Sequence, residues 1–482
     1  MTATTRPAAA QHARRPALTA PKVVFLVVAA AAPLAAMVGT VPLAFAIGNG
    51  AGVPATFVLA GLTLLCFSVG YAAMSRRIVN TGGFYTYIAR GLGRAPALSG
   101  GLVAVLAYNA ITVGLAGALG YFVHLVAASH GLDLPWQLWS ALGIALMAVL
   151  GYRQIDLSAR LLAVVMIAET GILLALVAAV FLDKGAATFP AAAMNPGTVA
   201  GPGLGVALMF ALVSYVGFES AALYGEETRS PHRTVPLATY ASVVLISGFY
   251  LLVSWAAVGA VGTGALQERS ARELGDLFFH LGDEFLGSAA TTVMQVLLCL
   301  SLFGSMLALH NAANRYMYAL GRERVLPPWL GSLHPRHNAP HRASMVQVSV
   351  TVAVCAVFWA AGLHPYTNLA TTMLGLGTLG IVLLQAGAAL SVIGFFRGHP
   401  DRHWWRTVLA PLLALAGLIG ATVLLISNFS VVTGTDSAIV NLTPWLYVVA
   451  LAAGLGYAWW LRSARPARYS ALAAAEAPVT SN

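Results

Sequence analysis

The run LLAVVMIAETGILLALVAAVF, residues Leu161 to Phe181, decides the fold class: it is apolar throughout except for one charged residue, Glu169, near its middle. A helix rises about 1.5 Å per residue, so a run of this length crosses the roughly 30 Å hydrocarbon core of a bilayer. Comparable runs recur along all 482 residues, of which 59% are hydrophobic and only 9% charged. Ordinary soluble chains carry roughly a quarter charged residues. The unit to count is therefore the membrane helix rather than the soluble domain.

Windows of about 19 residues predict an all-α integral membrane protein with twelve transmembrane helices. The first six lie near Val23–Phe45, Thr56–Met74, Ala97–Ala127, Trp136–Leu150, Ser158–Leu182 and Gly203–Tyr224. The second six lie near Ala238–Ala260, Leu286–Leu309, Met345–Ala361, Leu369–Phe395, Val408–Ile426 and Pro444–Trp460. Around this body, residues 21–461, the sequence predicts disordered cytoplasmic tails at 1–20 and 462–482. If both ends are cytoplasmic, only Lys184, Arg269 and Arg272 lie outside, and the other 23 of the 26 basic residues lie inside. That asymmetry is what the positive-inside rule expects. The net charge of +10 thus reads as a topology signal and not as a nucleic-acid footprint. The expected location is the plasma (inner) membrane, spanned many times. Cys66, Cys299 and Cys355 all fall in apolar runs without metal-ligand spacing and read as small buried hydrophobes.

Of the 16 acidic residues, 14 fall in loops, tails or helix ends; Glu169 and Glu219 fall well inside predicted spans. A carboxylate near the bilayer centre costs at least roughly 2.5 kcal/mol, so such groups face a cavity or a partner and mark ion, proton or substrate paths. Both are candidates for proton coupling or gating. His124 and His310 also lie in apolar runs, but a neutral imidazole is satisfied by one carbonyl. Tyr108, Asn109 and Ser305 could touch a ligand, although hydrogen bonding between helices is the commoner use of such side chains in membranes.

Two spans carry helix-breaking residues that a plain anchor does not need. The first contains Pro33, Gly39 and Pro42, followed by Gly48, Gly50 and Gly52; the sixth contains Ser214 and Gly217 just before Glu219. Transporters built from inverted repeats place interrupted helices in corresponding positions of two halves, around a midplane substrate site. The first and sixth helices correspond if the repeat unit is five helices. Their free N–H groups could bind a substrate carboxylate, and their free carbonyls an ammonium group or cation.

Three stretches resemble the amino acid, polyamine and organocation transporter family. LAGLTLLCFSVGYAAMSRRIVNTGGFYTYIARGLG, Leu59 to Gly93, is similar to that family's second helix and the segment after it. SYVGFESAALYGEETRSPHRTVP, Ser214 to Pro236, is similar to its sixth helix, and NRYMYALGRERVLPP, Asn314 to Pro328, to the end of its eighth. The resemblance implies a five-plus-five inverted repeat of the LeuT-like kind, with repeats over 23–182 and 203–395, helices eleven and twelve over 408–460, and discontinuous helices one and six. It implies Val213, Ser214, Val216 and Gly217 as substrate contacts and Glu219 as a gating acid. It aligns Glu169 where several proton-coupled members carry a lysine in place of a sodium ion, so this chain has the opposite charge there. In helix one the family's Gly-Ser-Gly break is absent. Counting back from Pro54 puts the break at Val38, Gly39 and Thr40; counting forward from Leu18 puts it at Pro33, Leu34 and Ala35.

The function expected from these readings is secondary active transport of amino acids or related amines by alternating access, as a proton-coupled symport. The alternatives are an amino acid exchanger, a polyamine permease, or, from a different class, a cation channel or non-transporting sensor. No nucleophile, metal or phosphate-loop motif accompanies the chain, so neither an enzyme nor a cofactor is expected. The expected partners are the small-molecule substrate, a coupling proton and the lipid bilayer.

Overall fold

The computed structural model describes residues 19–78, 83–153, 159–219, 228, 230–337 and 339–472. The chain runs through helices α1 (Ala20–Ala30), α2 (Pro33–Ile47), α3 (Val53–Ser75), α4 (Gly83–Leu92), α5 (Arg94–Ser129), α6 (Trp136–Tyr152) and α7 (Ala159–Lys184). After the short α8 (Pro196–Val199) come α9 (Leu204–Ser214), α10 (Pro231–Val261), α11 (Leu266–Glu273), α12 (Leu277–Phe285), α13 (Ser288–Arg322) and α14 (His341–Ala360). The remainder comprises α15 (Thr371–Phe396), α16 (Ala410–Ser427), the short α17 (Phe429–Thr433) and α18 (Ala438–Asn441), α19 (Trp445–Ala464) and α20 (Pro466–Ala471).

Nine stretches among the described residues are long and apolar enough to cross a membrane, beginning with Ala20–Ile47 and ending with Trp404–Ser427. Trp136–Tyr152 and Leu204–Ser214 are shorter apolar helices. The surface is the reverse of a soluble protein's. Leu142, Val164, Ile167, Val296, Val357, Ile419 and Val449 point outward, while Thr40, Thr112, Glu169, Ser214, Glu219, His310 and Gln347 are buried. Such an arrangement matches a hydrocarbon solvent, in which polar groups must find partners inside the bundle.

The 36-residue α5 is the spine, at about 54 Å long enough to traverse the whole bundle. It packs against α15 through glycines on both helices. Cβ atoms added at Gly114 and Gly117 would sit 2.9 and 2.8 Å from Leu374 and Leu369, and one at Gly377 would sit 2.1 Å from Ile111. Small residues let membrane helices approach this closely, where van der Waals packing replaces the hydrophobic effect as the driving force. At one end of α5, Arg94 donates to the carbonyls of Ser470 and Leu472. At the other, Tyr121 and Phe122 meet the α11–α12 segment at Gly275. Helices α2 and α9 lie side by side within this frame.

The structure locates the interruptions in the first and sixth spans and corrects the expected tail. The first predicted span is two helices, because Ala31 and Ala32 interrupt it; Ala32 adopts φ 46° and ψ 70°. Pro33 opens α2 in the position where its missing N–H costs nothing. Val38, Gly39 and Thr40, the other candidate break, lie inside α2. In the sixth span α9 ends at Ser214, and Tyr215 to Gly217 form a turn with Gly217 at φ 111°. The part of that span beyond Glu219, through Tyr224, lies outside the described residues, as do residues 1–18 and Ser158. The tail expected to be disordered from residue 462 is instead helical to Ala471. Arg468 donates to the Arg324 carbonyl at 2.7 Å and Tyr457 to the same oxygen at 3.1 Å. Short apolar content hid this docking from the sequence, because polar contacts to the residues just after α13 hold it.

Candidate functional site

Glu169 sits in the middle of α7 and is only 2% exposed. Its Oε2 accepts the Leu34 N–H at 3.3 Å, across 135 residues of sequence. Leu34 is the second residue of α2, so the carboxyl lies at the positive end of a helix dipole, where anions are favoured. Ser301 of α13 lies beside the same carboxyl, yet its Oγ is buried without a hydrogen-bond partner. Among the described residues no Lys or Arg forms an ion pair with Glu169 or Glu219.

The second break is built in the same way. Glu219 Oε2 accepts the Gly217 N–H at 3.0 Å, and its Oε1 accepts the Tyr108 hydroxyl at 3.0 Å. The Tyr71 hydroxyl donates to the Glu219 carbonyl at 3.4 Å. Tyr108 stacks on Tyr316, with ring centroids 5.4 Å apart. Each break thus has a buried carboxyl on one of its free N–H groups, which satisfies donors that a helix end leaves open.

Tyr250 of α10 joins the two breaks. Its hydroxyl lies 3.1 Å from the Ala31 carbonyl and 3.0 Å from the Ser214 carbonyl, the first oxygen of one interruption and the last before the other. One hydrogen serves two acceptors. Nearby, Thr40 Oγ1 and Ser214 Oγ stand 3.1 Å apart, while Thr40 also reaches the Ala36 carbonyl and Ser214 the Phe210 carbonyl. Two hydroxyl hydrogens cannot fill three bonds, so this pair keeps one bond in reserve. Two turns from the break, Gly39 is buried, but a Cβ there would meet nothing within 4 Å. The space there would admit at least a methyl group without a clash. Tyr366 marks its neighbourhood by donating to the Gly39 carbonyl at 3.2 Å.

The structure therefore brings Leu34, Thr40, Ser214, Gly217, Glu169 and Glu219 into two adjoining clusters. Pro33 and Ala35 belong to the first turn of α2, and Val38 is fully buried. Val216 is 8% exposed beside the second break, and Val213 is half-buried. His310 is occupied elsewhere, between Gln347 at 2.6 Å, Ser344 at 2.9 Å and Asn314 at 2.8 Å, which ties α13 to α14. His124 bonds the Leu134 carbonyl at 2.7 Å near the end of α5. Asn109 donates back to the Val105 carbonyl and leaves its Oδ1 buried and unpartnered. Sequence reasoning missed Tyr250 and Ser301. Tyr250 had no signal, being one of 16 tyrosines in the chain; Ser301 lies one turn before Ser305, the serine that the sequence singled out.

The family model described as amino acid permease matches residues 18–468. An uncharacterized transporter of Mycobacterium tuberculosis is 28% identical over 389 residues, covering 80% of this chain and 79% of its own. The methylthioribose transporter of Bacillus subtilis is 26% identical over 376 residues, 74% of this chain and 76% of its own. The branched-chain amino acid permease of Lactococcus lactis is 25% identical over 358 residues, 70% and 75%.

Proposed function

The chain belongs to the amino acid permease family, and from that premise we propose that it is a twelve-helix, five-plus-five inverted-repeat transporter that couples amino acid uptake to a proton by alternating access. Membership makes it a multi-pass membrane transporter of amino acids rather than an enzyme. The observation that carries the finer reading is the Tyr250 hydroxyl, shared between the Ala31 carbonyl just past α1 and the Ser214 carbonyl that ends α9. Two interrupted helices meeting at one buried point is the arrangement that inverted-repeat transporters use for substrate. Backbone N–H groups of α2 and of the Gly217 turn face the substrate carboxylate, and the free carbonyls face its ammonium. The carboxyls supply the coupling proton, Glu169 at the first break and Glu219 at the second. The space beside Gly39 takes the side chain. Both termini lie in the cytoplasm, and the plasma membrane is the site of action. The names of relatives, a cystine/glutamate transporter, a methylthioribose transporter and a branched-chain amino acid permease, span charged and neutral substrates, so a full amino acid panel is the one to try, leucine first.

The test is uptake of radiolabelled amino acids into proteoliposomes, with an imposed inward proton gradient in one arm and only internal unlabelled substrate in the other. Saturable accumulation driven by the gradient supports the symporter. Uptake that depends on internal substrate alone makes the protein an exchanger, and flux without saturation makes it a channel.

A further inference from the structure

We propose that the Glu169 carboxylate is a resident competitor for the substrate's own carboxylate, and that a proton arriving on Glu169 frees the Leu34 N–H for an α-amino acid. This rests on the transport reading above and deepens it by naming what the proton does. The donors at the start of α2 are few. Pro33 has no N–H, and the Ala36 N–H is spent on the Ala32 carbonyl at 2.9 Å. The remaining donors are Leu34 and Ala35, and the first of these is held by Glu169. A substrate carboxylate seeking that helix terminus meets one already in place.

The two acids differ in how firmly they are held. Glu219 receives two donors, one on each oxygen, both at 3.0 Å. Glu169 receives one at 3.3 Å, longer than the usual N–H···O distance of about 2.9 Å. Glu169 is therefore the displaceable anion. A proton on it removes the charge that the dipole of α2 favours and turns the group from acceptor into donor. Ser301 supplies a place for that donor to point. Ser301 is 5% exposed, and its Oγ is buried, unpartnered and beside the carboxyl. The carboxyl O–H donates to Ser301, the Leu34 N–H opens, and the incoming carboxylate takes it. Among the described residues, the titratable side chain that faces Glu169 from the surrounding helices is Tyr250 of α10; α2 offers a backbone N–H and α13 a serine. Proton first and amino acid second is an ordered symport.

The sign of the pH dependence decides. The full-length chain in nanodiscs is titrated with the twenty proteinogenic α-amino acids, leucine first, at pH 8 and pH 5.5. For any amino acid that binds, its amide and its decarboxylated amine are titrated too. The expected result is tighter binding of the amino acid at low pH, by at most tenfold per pH unit for a single proton. The amide and the amine, which lack the carboxylate, do not bind at either pH. Glu169→Gln is expected to bind at pH 8 as tightly as the wild type does at pH 5.5. Amino acid affinity that ignores pH, or falls as pH falls, overturns the competition while leaving the transporter intact. An amine that binds better at pH 8 overturns it too, because Glu169 is then a counter-ion. If no amino acid of the panel binds at either pH, the transport reading fails and this inference with it. Should Glu169→Gln not fold, the wild-type pH series and the amide comparison decide alone.

Discussion

Replacing Tyr250 by Phe removes one oxygen and keeps the ring in its place against Phe57 and Tyr215, at centroid distances of 5.4 and 5.8 Å. The lost hydroxyl serves the Ala31 and Ser214 carbonyls at 3.1 and 3.0 Å with a single hydrogen. A buried acceptor stripped of its donor costs about 1–3 kcal/mol. Because one hydrogen cannot fully satisfy both carbonyls, the cost for the pair is about that of one acceptor rather than two. It falls on the conformation in which the two breaks meet. If the opposite-facing conformation does not share the bridge, 1–3 kcal/mol shifts the population between the two by about 5- to 150-fold. The assay is uptake rate together with alkylation of a single cysteine placed on the α2 side of the site, in a background lacking Cys66, Cys299 and Cys355. Tyr250→Phe should insert normally, transport more slowly and expose the test cysteine more often. A wild-type rate with unchanged alkylation would refute the view that this hydroxyl fastens the two breaks together.

Other consequences are narrower. Gly217→Ala places a Cβ on a backbone at φ 111°, strain of about 1–3 kcal/mol, and should weaken amino acid binding without loss of expression; unchanged affinity would move the site away from the turn. Arg468→Ala removes a charged donor from the Arg324 carbonyl, where Arg324 itself holds φ 58°. It should lower thermal stability by about 1 kcal/mol and speed proteolytic nicking after residue 465, and equal nicking rates would show that α20 is not held this way. His364 caps the helix that follows by accepting the Tyr366 and Thr367 N–H groups on Nδ1, both at 3.2 Å, which requires the neutral ring. Burial holds its pKa below the ordinary 6.5, so the unfolded chain binds the proton more readily. Its contribution is present above about pH 6.5 and is lost as pH falls through the lower, folded value. The difference in melting temperature between wild type and His364→Ala should therefore shrink between pH 7.5 and pH 4.5, and a constant difference would contradict the cap.

The membrane class was legible because hydrophobic runs report on solvent directly, and the acids stood out because hydrocarbon makes them expensive. Glu169 and Glu219 were found by that cost alone. The break in the first helix was harder. Pro33 and Gly39 both weaken helices, but Pro33 is tolerated at a helix start and Gly39 sits within α2, beside open space, so residue type could not choose between the two candidate positions. Ala32, which takes the left-handed conformation, carries no signal at all; tertiary contacts impose it. Tyr250 and Ser301 were invisible for a related reason, since their roles depend on which carbonyl or carboxyl a distant helix presents. The docked end of the chain was misread because its anchors are arginines on loop carbonyls, a pattern without periodicity.

The most direct test of proton coupling at Glu169 is concentrative uptake of an amino acid substrate into proteoliposomes under an inward proton gradient, comparing wild type with Glu169→Gln. The account predicts that the wild type accumulates substrate above the external concentration and loses this when the gradient is collapsed, whereas Glu169→Gln equilibrates substrate but never concentrates it. Gradient-driven accumulation by Glu169→Gln equal to that of the wild type would contradict it.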